Sequence, residues 1–539
     1  MTGPGWHEDA VVYSLDVKTF NDSDGDGWGD FQGVIEKLDY IDELGVDCLW
    51  IRPFYPSPLR DNGYDVADYY AVDDRLGSLD DFRELCDRAH DRGIRILTDL
   101  VFNHTSIDHE WFQRAREDPE SEYHDYYLWT SHVDEAYQTI NIFPDREDGV
   151  WAYDDVAEKH YFHQFYWHQP DLNVANPRVR DELHDILRFW LRQGADGFRI
   201  DAAHPMVLRK GHHGTTVDEP MELFTEMRRV VRAEQDDAIL LAEADDEPEH
   251  LGEYFGGGEA FDLLFNFVLN SHLVYGVGIE DTWPLYRANE VLPDISGVGQ
   301  WATFLRNHDE WNLLKLPYET LDHGREYFEQ GDSWIFGRGH RLRLADLYDA
   351  DHDRIAMAHS LLLSLPGTPV LLSGDEIGMG ADLSLPERES VRTPMQWDAS
   401  PNGGFSTAAP QDCYNPVIDD GRFSYEYINV ADQRDDPASL LSRVKRLVAA
   451  HQEHPEINHG DYTIVDSGHK DVFVHRIDHA DGVLLCAHNF AHEYRESVVG
   501  LDYPGGAVDP VVGTAGYHVE DGGVTFQLDP CEYVWLDAR

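Results

Sequence analysis

Four apolar runs along this chain stop at a carboxylate or a histidine: DLVFNH (99–104), GFRID (197–201), LLAEAD (240–245) and LRNHDE (305–310). If these runs are parallel strands of one sheet, their C-terminal ends share a rim. Asp201, Glu243 and Asp309 then converge there from three different strands. Paired carboxyl groups are what glycoside chemistry requires: one attacks as nucleophile while the other, protonated, gives its proton to the leaving oxygen. Arg199 stands two residues before Asp201, so on a strand the two side chains share a face. Its fixed charge is expected to keep Asp201 ionised at neutral pH, which suits a nucleophile. A single Asp in so acidic a chain is most simply a solvated loop residue, but an ordered set at strand ends is not.

The elements that must position these residues are legible as an alternation. Short apolar runs at 10–15, 46–51, 94–101, 197–200, 239–242, 261–267, 302–306 and 369–372 alternate with amphipathic stretches such as VIEKLDYIDELG, LDDFRELCDRAHDRG and VRDELHDILRFWLRQG. Gly45, Gly93 and Gly194 follow these stretches as C-terminal stops. Continuous apolar runs are strands buried on both faces, and intervening helices give parallel pairing. Eight such units predict an α/β fold, a (β/α)8 barrel. The rhythm breaks twice. Residues 104–170 are rich in Tyr, Trp, His and Asp without helical period and read as a subdomain inserted after the third strand. Beyond a helix at 437–451, segments such as YTIVDS, DVFVHRI, GVLLCAHNF, GVTFQL and EYVWL predict a C-terminal antiparallel β-domain. The expected division is a barrel from 1–103 and 171–452, the insertion at 104–170 and the β-domain at 453–539.

The segment Asp22-Ser23-Asp24-Gly25-Asp26-Gly27-Trp28-Gly29-Asp30 offers oxygen ligands at every second position and a glycine at the sixth, following the first part of an EF-hand loop, although Gly33 stands where that loop has its glutamate. Asp22, Asp24, Asp26, the Trp28 carbonyl and Asp30 are expected to bind one structural Ca²⁺, with Mg²⁺ the second choice. The five cysteines are widely spaced and form no CxxC pair, so no zinc or redox site built on cysteine is expected; they read as small buried hydrophobes.

The 103 acidic residues against 42 basic ones leave a net charge of −61, and only seven of the basic residues are lysines. Such a surface repels nucleic acid and anionic lipid, and it resembles the composition of proteins from high-salt cytoplasms, where cations screen self-repulsion. No run is long enough to span a membrane, and the first residues, MTGPGWHEDA, lack the pattern of a secretion signal, so a cytoplasmic enzyme with a small-molecule substrate is expected.

The strand-end segments resemble the signature regions of the alpha-amylase superfamily, glycoside hydrolase family 13. The auxiliary segments VDCLWIRPFYPSP, DNGYDVADYY, QPDLN, GTPVLLSGDEIGMG and SVRTPMQW extend the resemblance over residues 6–397. It implies Asp201 as nucleophile, Glu243 as acid/base and Asp309 as transition-state stabiliser. It further implies His104, Arg199, His308 and Arg392 around the sugar, Asp61 and Tyr64 gripping the terminal ring, and Asp99 supporting them. Ala202, just after the nucleophile, resembles the small residue associated with α-1,4 linkages. The activity implied first is a retaining α-glucosidase with transglucosylation on maltose-type substrates, because residues 202–223 depart from the acidic loop associated with trehalose synthases. The second reading is a trehalose synthase, and the third a catalytically inactive sugar-binding homologue. Histidines His204, His212 and His213 in the departing stretch read first as part of an exposed loop and second as a metal site.

Overall fold

The computed structural model describes residues 5–133, 141–207, 220–480, 482–500, 507–520 and 522–539. All eight expected runs are strands: β1 Val12–Leu15, β2 Cys48–Ile51, β3 Arg95–Leu100, β4 Gly197–Ile200, β5 Ile239–Ala242, β6 Leu263–Phe265, β7 Gln300–Phe304 and β8 Thr368–Leu372. They pair in parallel in chain order, and β8 closes on β1 with Val370 opposite Val12, which makes a closed barrel. The runs are continuously apolar because each strand buries both faces. On β2, Cys48 and Trp50 join the barrel interior with Val12, Leu97, Leu241 and Phe304, while Leu49 and Ile51 join the cluster that packs against the helices.

Helix Leu79–His90 starts on a capping box made by Ser78 and Asp81, and helix Pro177–Gln193 on the Asn176 cap with proline in its first turn. The latter ends at Gly194, whose φ of +115° is left-handed backbone that a glycine adopts without strain. The stretch expected as one helix around residues 34–45 is two, Phe31–Glu36 and Leu38–Leu44, broken at Lys37. The Lys37 ammonium lies 4.3 Å over the ring of Trp397, a cation–π contact that no helical pattern encodes.

Between β3 and β4 the chain forms helix Glu110–Glu117 and a small antiparallel sheet of Trp129–Thr130, Trp151–Asp154 and Lys159–Phe162. It returns to the barrel rim through a bridge between His104 and Asp171. The C-terminal region holds two antiparallel sheets. One runs Asp461–Val465, Val472–His479, Gly482–Asn489, Tyr533–Ala538, Val508–Gly513; the other Arg495–Gly500, Gly523–Leu528, Gly516–Glu520. The sheets enclose Val474, Leu485, Val524, Phe526 and Leu536, while the opposite face of the larger one presents Phe473, Leu484, Cys486 and Trp535 to the main core. Three of these strands, Arg495–Gly500, Val508–Gly513 and Gly516–Glu520, escaped sequence reading. All three are sheet edges, and their exposed residues dilute the apolar alternation.

All five cysteines are free and four are buried. Among the described residues no helix is long and apolar enough to cross a membrane. His212 and His213 lie outside the described residues.

Candidate active site

The strand ends open into a crevice that is lined by Asp61, Tyr64, His104, Asp201, Glu243 and Asp309 among others. Asp201 and Glu243 follow the last residues of β4 and β5 directly, and Asp309 lies five residues past β7, so three short loops bring them together. Ala202 turns the chain away from Asp201 with a φ of +48°, and its amide donates to Glu243 at 3.1 Å.

Arg199, buried inside the barrel mouth, organises one side of the floor. Its Nη1 donates to Asp201 at 2.6 Å and to Asp99 at 2.8 Å, while Nη2 donates to Glu243 at 2.5 Å. Trp50 flanks the guanidinium 5.1 Å away. The expectation that Arg199 holds Asp201 ionised needs correction, because its one charge is shared among three carboxylates. Burial, then repulsion from Glu243 and Asp99, push the Asp201 carboxyl well above the usual carboxylate range against the pull of Arg199. Burial pushes Asp99 up as well.

The other side has the opposite balance. Asp309 Oδ1 accepts from Arg388 Nη1 at 2.9 Å and from Arg392 Nη2 at 2.8 Å. Burial opposes its ionisation, yet the Arg388 and Arg392 guanidiniums, with Arg199 farther off, hold the carboxyl well below the usual range. Burial drives the His308 ring itself far below its ordinary value, so at neutral pH it is an uncharged hydrogen-bonding ring, 2.7 Å from the Tyr64 hydroxyl. That hydroxyl also donates to Asp99 at 3.0 Å and so joins the two sides. The second arm of Arg388 reaches Asp61 at 2.6 Å, and Gln169 donates to the other Asp61 oxygen at 2.9 Å. These contacts keep Asp61 below the usual range in spite of burial.

Of the residues expected around the substrate, Asp61, Tyr64 and His104 line the crevice; Arg199, His308 and Arg392 do not. These three stand behind the wall and hold the groups that do line it. Arg388 escaped sequence reading although it lies four residues before Arg392 in PERESVRTPMQW, because nothing local shows that it bridges Asp61 and Asp309. Also missed were the polar group Asp245–Asn312–Lys315, the Glu310–Arg338 pair, and the apolar wall of Ile142, Phe143 and Phe165 from the inserted segment. His204 lines the crevice and meets the Tyr254 hydroxyl at 2.7 Å, so the exposed-loop reading fails for it.

In the Asp22–Asp30 segment the carboxylates of Asp22, Asp24 and Asp30 come within 4.8 Å of one another, and Asp26 is outside that group. Asp26 instead accepts from the Trp28 amide at 2.8 Å. Three hard oxygen donors fit Ca²⁺ or Mg²⁺, with one ligand fewer from the side chains than expected. None of these residues lines the crevice.

Residues 15–460 match the family model described as alpha amylase, catalytic domain. The chain is 41% identical over 495 residues to the trehalose synthase/amylase TreS of Mycobacterium tuberculosis, which covers 90% of this chain and 82% of that one. It is 30% identical to the oligo-1,6-glucosidase of Heyndrickxia coagulans over 562 aligned positions, 93% and 94% of the two chains. The crystal structure of an alpha-amylase from H. orenii superposes with a TM-score of 0.81 at 27% identity, covering 99% of this chain and all of that one. The chain belongs to the alpha-amylase family, glycoside hydrolase family 13, and is a glycosidase or glucosyltransferase acting on α-glucosides.

Proposed function

We propose that the protein is a trehalose synthase, converting maltose to trehalose by transfer of a glucosyl unit with retention at the anomeric carbon. The order of the two leading readings is thereby reversed. The relative at 41% identity carries the trehalose synthase name and the glucosidase stands at 30%, which outweighs the local departure after Asp201.

One observation carries the chemistry: adjacent nitrogens of a single planar guanidinium hold Asp201 and Glu243. This supports the close carboxyl pair, ~5–5.5 Å apart, that retaining enzymes use, since inverting pairs stand farther apart to admit a water. Asp201 attacks the anomeric carbon, and Glu243 protonates the glycosidic oxygen, which breaks the bond and frees glucose. The second step reverses the roles: Glu243 takes a proton from the anomeric hydroxyl of the retained glucose, whose oxygen displaces Asp201 and forms the new linkage. Asp309, kept anionic by its two arginines, faces the positive charge of the oxocarbenium-like transition state. The Asp61–Arg388 bridge at the crevice end supports recognition of a terminal sugar. Ile142, Phe143 and Phe165 supply an apolar wall against which the freed glucose can be retained.

Incubation with maltose, with sugars resolved over time, tests this reading. Trehalose is expected as the main product with glucose in the minority; glucose alone, or maltotriose and longer glucosides, would return the glucosidase reading to first place. We also assign the Asp22, Asp24 and Asp30 carboxylates to a structural Ca²⁺ or Mg²⁺ site. Because the ion would bind only the folded state, chelation lowers the melting temperature and leaves the initial rate on maltose intact while the fold persists.

A further inference from the structure

A second group of metal-ligating side chains lies where the C-terminal β-sheets meet the barrel, and none of its members lines the crevice. Asp351 caps helix His352–Ser364: its Oδ1 accepts from the amides of Asp353 at 3.0 Å and Arg354 at 3.2 Å. That leaves Oδ2, which lies 3.8 Å from Nδ1 of His492. Cys531, in the turn between strands Gly523–Leu528 and Tyr533–Ala538, is held by its left-handed backbone (φ +55°) and by its amide, which donates a hydrogen bond to the Ala491 carbonyl at 3.1 Å. Its Sγ also stands 3.8 Å from Nδ1 of His492. The three donor atoms all fall within 4.8 Å of one another.

We propose that Asp351, His492 and Cys531 bind one zinc-type divalent cation that pins the C-terminal β-domain to the barrel. Carboxylate, imidazole and thiolate together are a donor set for zinc and unsuited to the calcium chemistry of the 22–30 segment. Tetrahedral zinc with ordinary bond lengths sets neighbouring ligand atoms about 3.3–3.6 Å apart, so shifts of a few tenths of an ångström close the two measured edges. A second observation points the same way. Glu280, the left-handed C-cap of helix Phe267–Ile279, lies 3.8 Å from Nε2, the His492 nitrogen that faces away from the site. A carboxylate behind the free nitrogen of a ligating histidine orients the ring and selects its tautomer. The charges close as well: Asp351 and a Cys531 thiolate balance the dication, while Glu280 is paired with Arg354 at 2.8 Å. Burial pushes the Cys531 thiol up to about 11 against the pull of Arg354, so a bound ion must displace the thiol proton. His492 is half-exposed, so an ion can enter from solvent and a water can complete the coordination. This departs from the expectation that no zinc site is built on cysteine, which rested on the missing CxxC pair; here the ligands stand at positions 351, 492 and 531, which no local motif records.

The test uses the full chain, stripped of metal and then given excess Ca²⁺ to saturate the hard oxygen site, with Co²⁺ as the probe. One equivalent of Co²⁺ is expected to bind with a thiolate charge-transfer band and tetrahedral d–d absorption, and Zn²⁺ should displace it and raise the melting temperature. Cys531→Ser should abolish the charge-transfer band, His492→Ala should weaken binding at least ~100-fold, and Glu280→Gln ~10–100-fold. Initial rates on maltose should be unchanged in all three. Absence of a thiolate band in the wild type, or a band and affinity untouched by His492→Ala, overturns the proposal; His492 is exposed enough for that variant to fold even where Cys531→Ser does not.

Discussion

On one side of the crevice a single guanidinium, Arg199, is shared among the three carboxylates Asp99, Asp201 and Glu243; on the other, two guanidiniums, Arg388 and Arg392, converge on Asp309, with Arg388 also reaching Asp61 and Arg392 reaching Glu389. Most of each cluster is buried, although Glu243 and Asp309 are partly open to the crevice, so water relieves neither imbalance fully. On the first side burial and the neighbouring carboxylates push Asp201 up; on the second the guanidiniums hold Asp309 down. Chemistry that hands a proton to a leaving group needs a titratable side, whereas stabilising a passing positive charge needs a side that does not titrate. Asp201 shares one guanidinium with two other carboxylates while Asp309 holds two, and that difference suits the two sides to the two jobs proposed for them. Tyr64 and neutral His308 stand between the clusters, and a hydrogen bond links them where a charge would blur the difference.

The largest expected effect is on the titratable side. Asp201→Asn should lower kcat on maltose by ~10⁴-fold or more with the fold retained, because an amide cannot form the glycosyl ester. A folded variant with near-normal turnover would remove Asp201 from the chemistry. On the anionic side, Arg388→Ala leaves Asp309 with one cation and Asp61 with none. We expect kcat/KM to fall ~10²–10³-fold, together with a lower melting temperature, since a buried carboxylate loses its partner. An effect confined to stability would show that the charge ratio around Asp309 is structural only.

The comparison is sharpened by pH. Activity requires an ionised Asp201, so the acid limb of kcat/KM should lie above the ordinary carboxylate range, with activity lost as pH falls through it. Asp99→Asn removes one of the negative neighbours that raise Asp201, so the limb should move to lower pH; a limb that stays put would mean that burial alone sets it. The stability signs are opposite on the two sides. Asp309, depressed in the fold, contributes stability above its unfolded value, which is lost as pH falls toward its folded one. Asp201, raised in the fold, penalises the folded state as pH rises above its unfolded value. The smallest effect on the crevice is that of salt. Moving from dilute buffer to molar KCl should raise the melting temperature, because a net charge of −61 is screened, while the acid limb hardly moves because buried pairs are screened little. A melting temperature indifferent to salt would end the high-salt reading.

Much of the barrel is written in its sequence because a strand buried on both faces must be apolar at every position. Runs such as VDCLWI and LLAEAD therefore announce both a strand and the residue at its end. Asp201, Glu243 and Asp309 were legible for that reason, and so was the oxygen-rich 22–30 segment, whose donors come from one short stretch of chain. What remained hidden depends on partners distant in sequence. Arg388 finds Asp61 across 327 positions, Cys531 finds His492 across 39, and the ionisation of Asp201 follows from how many carboxylates one arginine must serve. Edge strands stayed hidden because half of their surface meets water and need not be apolar. Sequence alone determines what each residue can bury or donate within its own element. Only the closed barrel and the sheets docked against it decide which charges share a low-dielectric space, and there a single added arginine or carboxylate changes which groups hold their protons.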